Sequence, residues 1–393
     1  MLSGKRILVV SSKFPEEYSG SGLRAYHTYI RLEEKYKLSW DVIANSVAYQ
    51  GNSVYRYEGK NIYRISSPIK IPKDKSLKQK LSILFSMLWE TIFTLKFLII
   101  YGSKYDLLHT FGNTWSIGIF SIYFSFKNKP IIRELVTDLK NPFYPIQISK
   151  YIKNIFMKKK SYIIAISKKL EILSLRYSVL NIWQRPNPID NNKFFIDYDN
   201  KYNYRQEYSK FTSSDIVLCY IGSLRSSKNH IFLLDVLIIL PNNFKLFIAG
   251  PENKSELGIF NNLLEKINTL GLSNRVQVEK NFIVDIDKYI KLSDIYLFPS
   301  KLEGLGTPIL EAQACGIPVV SNLLKDITNT EIIEGEGGYC SILNPKEFAL
   351  KIEMALNIPE DTLIKNAKYT INRASTKVID EGYCKIMKEL MYD

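Results

Sequence analysis

The chain has 393 residues, 46% hydrophobic and 23% charged, and a net charge of +14. This composition excludes a disordered or low-complexity chain, and the length exceeds one core, so two domains of roughly 150–200 residues each are expected. Four cysteines (Cys219, Cys315, Cys340, Cys384) lie far apart without a C-x-x-C, which argues against a disulfide scaffold and predicts free core thiols in a reducing cytosol. The opening MLSGKRILVVSS has an apolar run too short for a secretory leader and no small-residue cleavage site.

In chain order, KRILVVSS (residues 5–12) predicts a first buried strand. DVIAN (41–45), NIYRI (61–65), YDLLHTF (105–111), PIIREL (130–135) and SYIIAIS (161–167) predict further short strands, with helical windows such as GLRAYHTYIRLEEKY between them. RPNPIDNNKF (185–194) disfavours regular structure and reads as the domain boundary. Beyond it, DIVLCYIG, NFKLFIAG, RVQVE, DIYLFPS and GIPVVS again alternate with helical patterns. Near-continuous apolar strands alternating with helices predict parallel sheets, and two such series predict two doubly wound α/β domains. The expected division is 1–190, 191–374 and a final helix over 375–393.

Charge divides along the same line. Residues 1–190 carry 30 Lys and Arg against 13 Asp and Glu, a balance of +17, and residues 191–393 carry 23 against 26, a balance of −3. A basic half suggests an anionic partner, although a lysine-rich solvated surface explains the balance about as well. Nucleic acid is not expected, because no interleaved aromatic–basic platform accompanies the charge. LSILFSMLWETIFTLKFLII (81–100) has the length of a membrane span. Glu90 and Lys96 inside it argue against spanning, and a long helix packed on the sheet is the favoured reading. Lys73, Lys75, Lys78 and Lys80 precede it, so a helix lying in an anionic membrane interface is the minority reading.

The most informative stretch is EGLGTPILEAQACGIPVV (303–320). It follows the strand DIYLFPS, and Thr307-Pro308 predicts a helix start with threonine as cap. Gly316 suits the left-handed stop. The amides around Gly306 and Thr307 then form an anion site at the carboxyl end of a parallel strand, fit for phosphate. Glu303 in the loop and Glu311 in the helix suit hydroxyls of two sugars rather than phosphate, as a nucleotide-sugar presents. A glutamate complementing the helix dipole accounts for Glu311 alone, not for the set.

This stretch resembles the EGFGxPxLEAMACGxPVV signature of the retaining glycosyltransferases of family 4, with Leu305 and Gln313 at the Phe and Met positions. SDIYLFPS, NFKLFIAGPE, RPNPIDNNKF, IIAISKKL and YDLLHTFG resemble further family segments in the same order. The resemblance implies a GT-B fold: two Rossmann-like doubly wound domains facing a central cleft, acceptor on the first, donor on the second, and the last helix crossing back to the first. It implies that Glu311 binds the ribose, that Glu303 meets the transferred sugar, and that Leu305, Gly306 and Thr307 line the diphosphate. YIGSLRSSKNH (220–230) resembles the family's vGRLxxxKG; Gly222 and Lys228 match, Ser223 replaces the arginine, and Arg225 is the nearest substitute. Lys228 would stabilise the diphosphate as it leaves.

FPEEYSGSG resembles the family's glycine loop, with Gly20 and Gly22 allowing close approach to the donor phosphates. GSGLRA matches a dinucleotide fingerprint by letter, but the strand ends too far upstream for that turn. The D-x-D pairs Asp197/Asp199 and Asp285/Asp287 read as linker and helix start. The resemblance implies no metal and no cofactor. The family's histidine after PIIRELVTD is absent; Glu134, Thr137 and Asp138 occupy the region, and His109 is a candidate cleft residue or a buried structural one. The expected function is a cytoplasmic, metal-independent, retaining sugar transfer from a UDP- or GDP-sugar to a glycan acceptor, lipid-linked or free, in capsule, O-antigen or related polysaccharide assembly, with an anionic inner-membrane surface as candidate partner. A non-catalytic GT-B module that binds nucleotide or glycan for a partner is the alternative.

Overall fold

A computed structural model describes all residues except 1, 18, 46–50, 73–74, 137–140, 143–159, 253–255, 282, 304 and 393. Thr137 and Asp138 therefore lie outside the described residues, as does Lys73. The chain forms two units, Met1–Arg185 with Asp380–Asp393, and Pro186–Ile379.

The first unit contains β1 (Arg6–Ser11), β2 (Ser39–Asn45), β3 (Ser53–Tyr57), β4 (Lys60–Ile65), β5 (Leu107–Phe111), β6 (Ile131–Leu135), β7 (Ser161–Ala165) and β8 (Ile182–Gln184). They form one sheet in the order β3-β4-β2-β1-β5-β6-β7-β8, parallel except for the β3–β4 hairpin. Strands β5 and β6 are buried at every residue, because helices cover both faces of a parallel sheet. The hairpin escapes sequence reading because its two-residue turn is Glu58-Gly59, both at positive φ (43° and 84°). Such a turn normally announces itself as Asn-Gly or Asp-Gly.

The second unit contains β9 (Ile216–Ile221), β10 (Phe244–Ala249), β11 (Val276–Glu279), β12 (Ile295–Phe298), β13 (Val319–Asn322) and β14 (Gly338–Ser341). Their order is β11-β10-β9-β12-β13-β14, all parallel. The winding reverses between β9 and β12, the place where a doubly wound sheet opens a crevice beyond its carboxyl ends. In the first unit the same reversal lies between β1 and β5.

Pro186 begins the second unit, and the chain enters and leaves that unit side by side. The Ile189 amide donates to Ala374 O (2.8 Å) and the Thr376 amide to Ile189 O (3.0 Å). The last helix, Thr376–Tyr392, belongs to the first unit from Asp380 onward. Arg31 grips Asp380 through Nε (2.7 Å) and Nη2 (2.9 Å), a bidentate pair with the carboxylate buried and the guanidinium half-buried, which fixes orientation as well as charge.

Three helices of the first unit matter below: α1 (Gly20–Tyr36), α2 (Leu77–Tyr101) and α3 (Trp115–Phe126). Helix α2 packs on α3 with its polar residues. Glu90 Oε2 accepts from the Ser116 amide and hydroxyl (both 3.1 Å), a carboxylate at a helix N terminus. Trp115 Nε1 donates to Thr91 Oγ1 (2.8 Å) and Ser86 Oγ to Ser67 Oγ (3.0 Å). Residues 81–100 thus lie in a helix packed on the body of the first unit, with Ser86, Glu90 and Thr94 facing inward beside Phe97 and Leu98.

Candidate functional site

In the second unit, the loops after β9 and β12 supply the predicted residues. After β9, Gly222 donates its amide to Ala249 O (2.8 Å), and a Cβ on Gly250 would lie 2.1 Å from Gly222 O. The two strand ends can therefore close only without side chains there. Residues Ser226–Lys228 make one 3-10 turn, and Asn229 turns the chain at φ 61°. Its next residue, His230, is buried, packs edge-on against Tyr220 (5.0 Å), and is held neutral by burial, which pushes its pKa down to about 4.

That turn aims Lys228 at the loop after β12, where its Nζ forms an ion pair with Glu303 Oε1. The Lys228 ammonium also lies 5.9 Å from the Phe298 ring centre. The two loops are tied through the Lys301 amide, which donates to Ser227 O (2.8 Å). Arg225 is exposed, while Ser226 is held by Glu256, which accepts from its amide (2.8 Å) and hydroxyl (2.6 Å).

The helix Thr307–Ala314 starts with Gly306 at the cap position and Pro308 inside the first turn. Thr307 was expected to cap; instead it is the first helical residue, and its Oγ1 accepts from Asn187 Nδ2 (2.6 Å). Asn187 lies in the RPNP segment and was not singled out by sequence reading. Its signal there was weak, a polar residue between two prolines. The Ile309 amide is taken by Gly306 O (2.9 Å). Among the described residues, the Gly306 and Thr307 amides donate to no protein acceptor, which leaves two donors at the positive end of a helix. Leu305 is buried beside them. The helix ends as expected at Gly316 (φ 73°), whose carbonyl accepts from Tyr198 Oη (2.9 Å).

Glu311 stands one turn into this helix. Among the described residues no hydrogen bond or ion pair reaches its carboxyl group, and burial pushes its pKa up to about 7 from 4.5. A carboxyl held that high contributes stability below pH 4.5 and loses it as pH rises through 7. Because part of the residue is solvent-accessible, the cost at pH 8 is roughly 1 kcal/mol. Glu311→Gln is therefore expected to melt at a higher temperature than wild type at pH 8 and at the same temperature at pH 4; equal melting at pH 8 contradicts the burial. An uncompensated carboxyl at a sheet's carboxyl edge is a candidate functional group.

The D-x-D pairs are used locally. Asp197 accepts from Tyr204 Oη (2.7 Å) and Asn200 Nδ2 (2.9 Å). Asp285 flanks the Ile286–Lys291 helix and pairs with Lys288, and Asp287 pairs with Lys291.

The first-unit candidates are Gly20, Gly22 and His109. Gly20 opens α1 in open space, but a Cβ on Gly22 would lie 2.4 Å from Lys13 O. Gly22 thus serves the chain's own loop, whose Ser19 side chain accepts from the Gly22 amide (2.9 Å). His109 has no exposed surface, so the structural alternative holds for it. Its Nδ1 is 2.7 Å from Tyr29 Oη, and its Nε2 lies 3.9 Å from Glu134 Oε2. Glu134 is the centre of a buried cluster: Arg24 Nε (3.0 Å) and Arg185 Nη2 (2.7 Å) hold Oε1, and the Tyr383 hydroxyl donates to Oε2. Burial alone would raise the Glu134 pKa, but the Arg185 and Arg24 charges outweigh it and hold it down to about 2. Burial also pushes His109 down to about 3.

Residues 203–374 match the family model described as glycosyl transferases group 1. That match spans most of the second unit. A capsular polysaccharide biosynthesis glycosyltransferase, CapH of Staphylococcus aureus, is 29% identical over 42% of this chain and 44% of its own. The glycosyltransferase EpsD of Bacillus subtilis, described as putative, is 32% identical over 38% and 39%. The chain thus matches less than half the length of either relative. Among solved structures, Anabaena HepE in complex with UDP superposes with a TM-score of 0.72 at 17% identity, covering 98% of this chain and 99% of its own. Sucrose-phosphate synthase of Thermosynechococcus elongatus gives 0.73 at 17%, again over 98% and 99%. Likeness at that identity carries the fold alone, and that fold is GT-B.

Proposed function

We propose that this chain is a retaining glycosyltransferase that moves a sugar from a nucleotide-diphosphate-sugar to a glycan acceptor in cell-surface polysaccharide assembly, the acceptor being carried on a lipid at the cytoplasmic membrane face. The observation that carries the reading is the meeting of Lys228 and Glu303 from two separate loops, beside the free helix start at Gly306 and Thr307. Without donor, the cation and carboxylate satisfy each other. A bound diphosphate takes Lys228 and the two amides, which releases Glu303 to accept from sugar hydroxyls. Glu311, with no protein partner, accepts from the ribose.

In the reaction the bond between the anomeric carbon and the diphosphate oxygen breaks, and its electron pair stays on that oxygen. The acceptor hydroxyl oxygen bonds to the anomeric carbon on the same face, and its proton passes to the departing phosphate. Lys228 and the amides stabilise the charge growing on the leaving group. This scheme needs no protein base, in keeping with the absence of the family's histidine from this sequence. The capsule-related name of CapH supports the polysaccharide setting, and the UDP complex of HepE makes UDP the first nucleotide to test.

Melting with UDP or GDP tests the donor site. A ligand at ~100 times its Kd adds about 2.7 kcal/mol to stability. The expected result is a shift with one of the two nucleotides that Lys228→Ala and Glu311→Ala both abolish. No shift with either overturns the assignment. A shift without turnover of UDP- or GDP-sugars on lipid-linked glycans would instead favour a binding module, a reading to which Ser223 in the arginine position gives some support.

A further inference from the structure

Helix α2 is inverted relative to an ordinary surface helix. Ser86, Thr94, Phe97 and Leu98 are its buried residues, and Glu90 points the same way, onto the start of α3. Leu77, Leu81, Leu84, Leu88, Ile92 and Ile99 fall within a sector of about 80° on the opposite side, at 3.6 residues per turn. They are exposed: Leu88 at 54%, Ile92 at 60% and Ile99 at 82%. An 18-residue stretch within Leu77–Lys104 has a mean hydropathy of 1.8, and only 22% of it is buried. A continuous apolar stripe of this length on a protein surface marks an interaction site.

The surroundings identify the partner. Lys78 and Lys96 border the stripe on one side and Lys80 on the other, all exposed. The first unit, residues 1–185 and 380–393, holds 32 Lys and Arg against 16 Asp and Glu, a balance of +16; the second holds 21 against 23, a balance of −2. A second copy of this chain would oppose one lysine-bordered, strongly positive face with another. An anionic lipid surface offers hydrocarbon to the leucines and phosphate to the lysines, whose stems reach up along the apolar face. The helix does not cross that bilayer, because Glu90, Thr91 and Ser86 bind it to the body of its own unit.

We propose that the Leu77–Ile99 stripe of α2 docks the first unit on an anionic membrane, lying in the plane of the interface. The proposal is independent of the sugar-transfer reading, since docking requires no donor. Flotation of the full chain with vesicles of phosphatidylglycerol and phosphatidylcholine, against phosphatidylcholine alone, tests it at low and high salt. Wild type is expected to float with the anionic vesicles at low salt and to be partly released by high salt. Leu88→Glu combined with Ile92→Glu, and separately Lys78→Glu with Lys80→Glu, are each expected to lower the bound fraction at least about tenfold without lowering the melting temperature. Wild type left unfloated by anionic vesicles overturns the proposal, as does a stripe variant that folds and floats like wild type. A dimer in sedimentation that the stripe variant dissociates, with vesicle binding unchanged, assigns the face to a second copy instead.

Discussion

Lys228→Ala is expected to lower kcat/KM for sugar transfer by about a hundredfold to a thousandfold, the range for removing one preorganised group that stabilises transition-state charge. The loss belongs mainly in kcat, because the charge that Lys228 meets is largest when the leaving diphosphate departs. The fold should tolerate the change. Lys228 sits in a short 3-10 turn, its side chain is partly exposed, and its partner Glu303 is near enough to solvent to be rehydrated. The check is steady-state kinetics with the sugar nucleotide that stabilises wild type, alongside the melting temperature without ligand. Lys228→Arg separates charge from geometry: partial recovery of kcat supports an electrostatic role. A variant that keeps wild-type kcat removes Lys228 from the reaction.

Glu134→Gln is expected to have the largest effect on stability, roughly 3–5 kcal/mol, because it removes the buried carboxylate that both Arg24 and Arg185 meet. For a unit of this size that is a fall of about 10 °C in its melting transition. The same cluster makes the first unit sensitive to acid. The folded Glu134 pKa, about 2, lies below its ordinary 4.5. Its stabilisation is therefore complete above pH 4.5 and is lost as pH falls toward 2. His109, pushed down to about 3 from 6.5, acts in the same direction: between those values the unfolded chain takes a proton that the folded chain refuses. Calorimetry from pH 7 to pH 3 should show the first unit's transition moving to lower temperature, with a shallower slope below pH 4.5 in Glu134→Gln. A variant that melts like wild type at pH 7 would show that the two arginines do not depend on this carboxylate.

The geometry of the candidate site in the second unit was largely legible in the sequence because its parts are local. A strand, a short glycine-containing loop and a helix lie within twenty residues at 295–314, and local propensity places Glu303 and Glu311 relative to that helix. The pairing of Lys228 with Glu303 follows from two such segments ending at one reversal of the sheet order, between β9 and β12. The grip of Asn187 on Thr307 was not legible, because 120 residues separate the partners.

What the sequence alone determined is the class: two doubly wound α/β units, most of the strands that build them, and the strand–loop–helix placement of Glu303 and Glu311, whose spacing survives in one dimension. Only the tertiary structure decided which way each side chain faces. Gly22 turned out to face its own loop, His109 the interior, and α2 an apolar stripe outward with Glu90 inward. The reason is physical. Periodicity shows that a helix has two faces, but which face is buried depends on the partner that can satisfy the polar one. Here that partner is the N terminus of α3, 26 residues away from Glu90, and the Glu134 cluster likewise gathers Arg24, Arg185 and Tyr383 from distant parts of the chain.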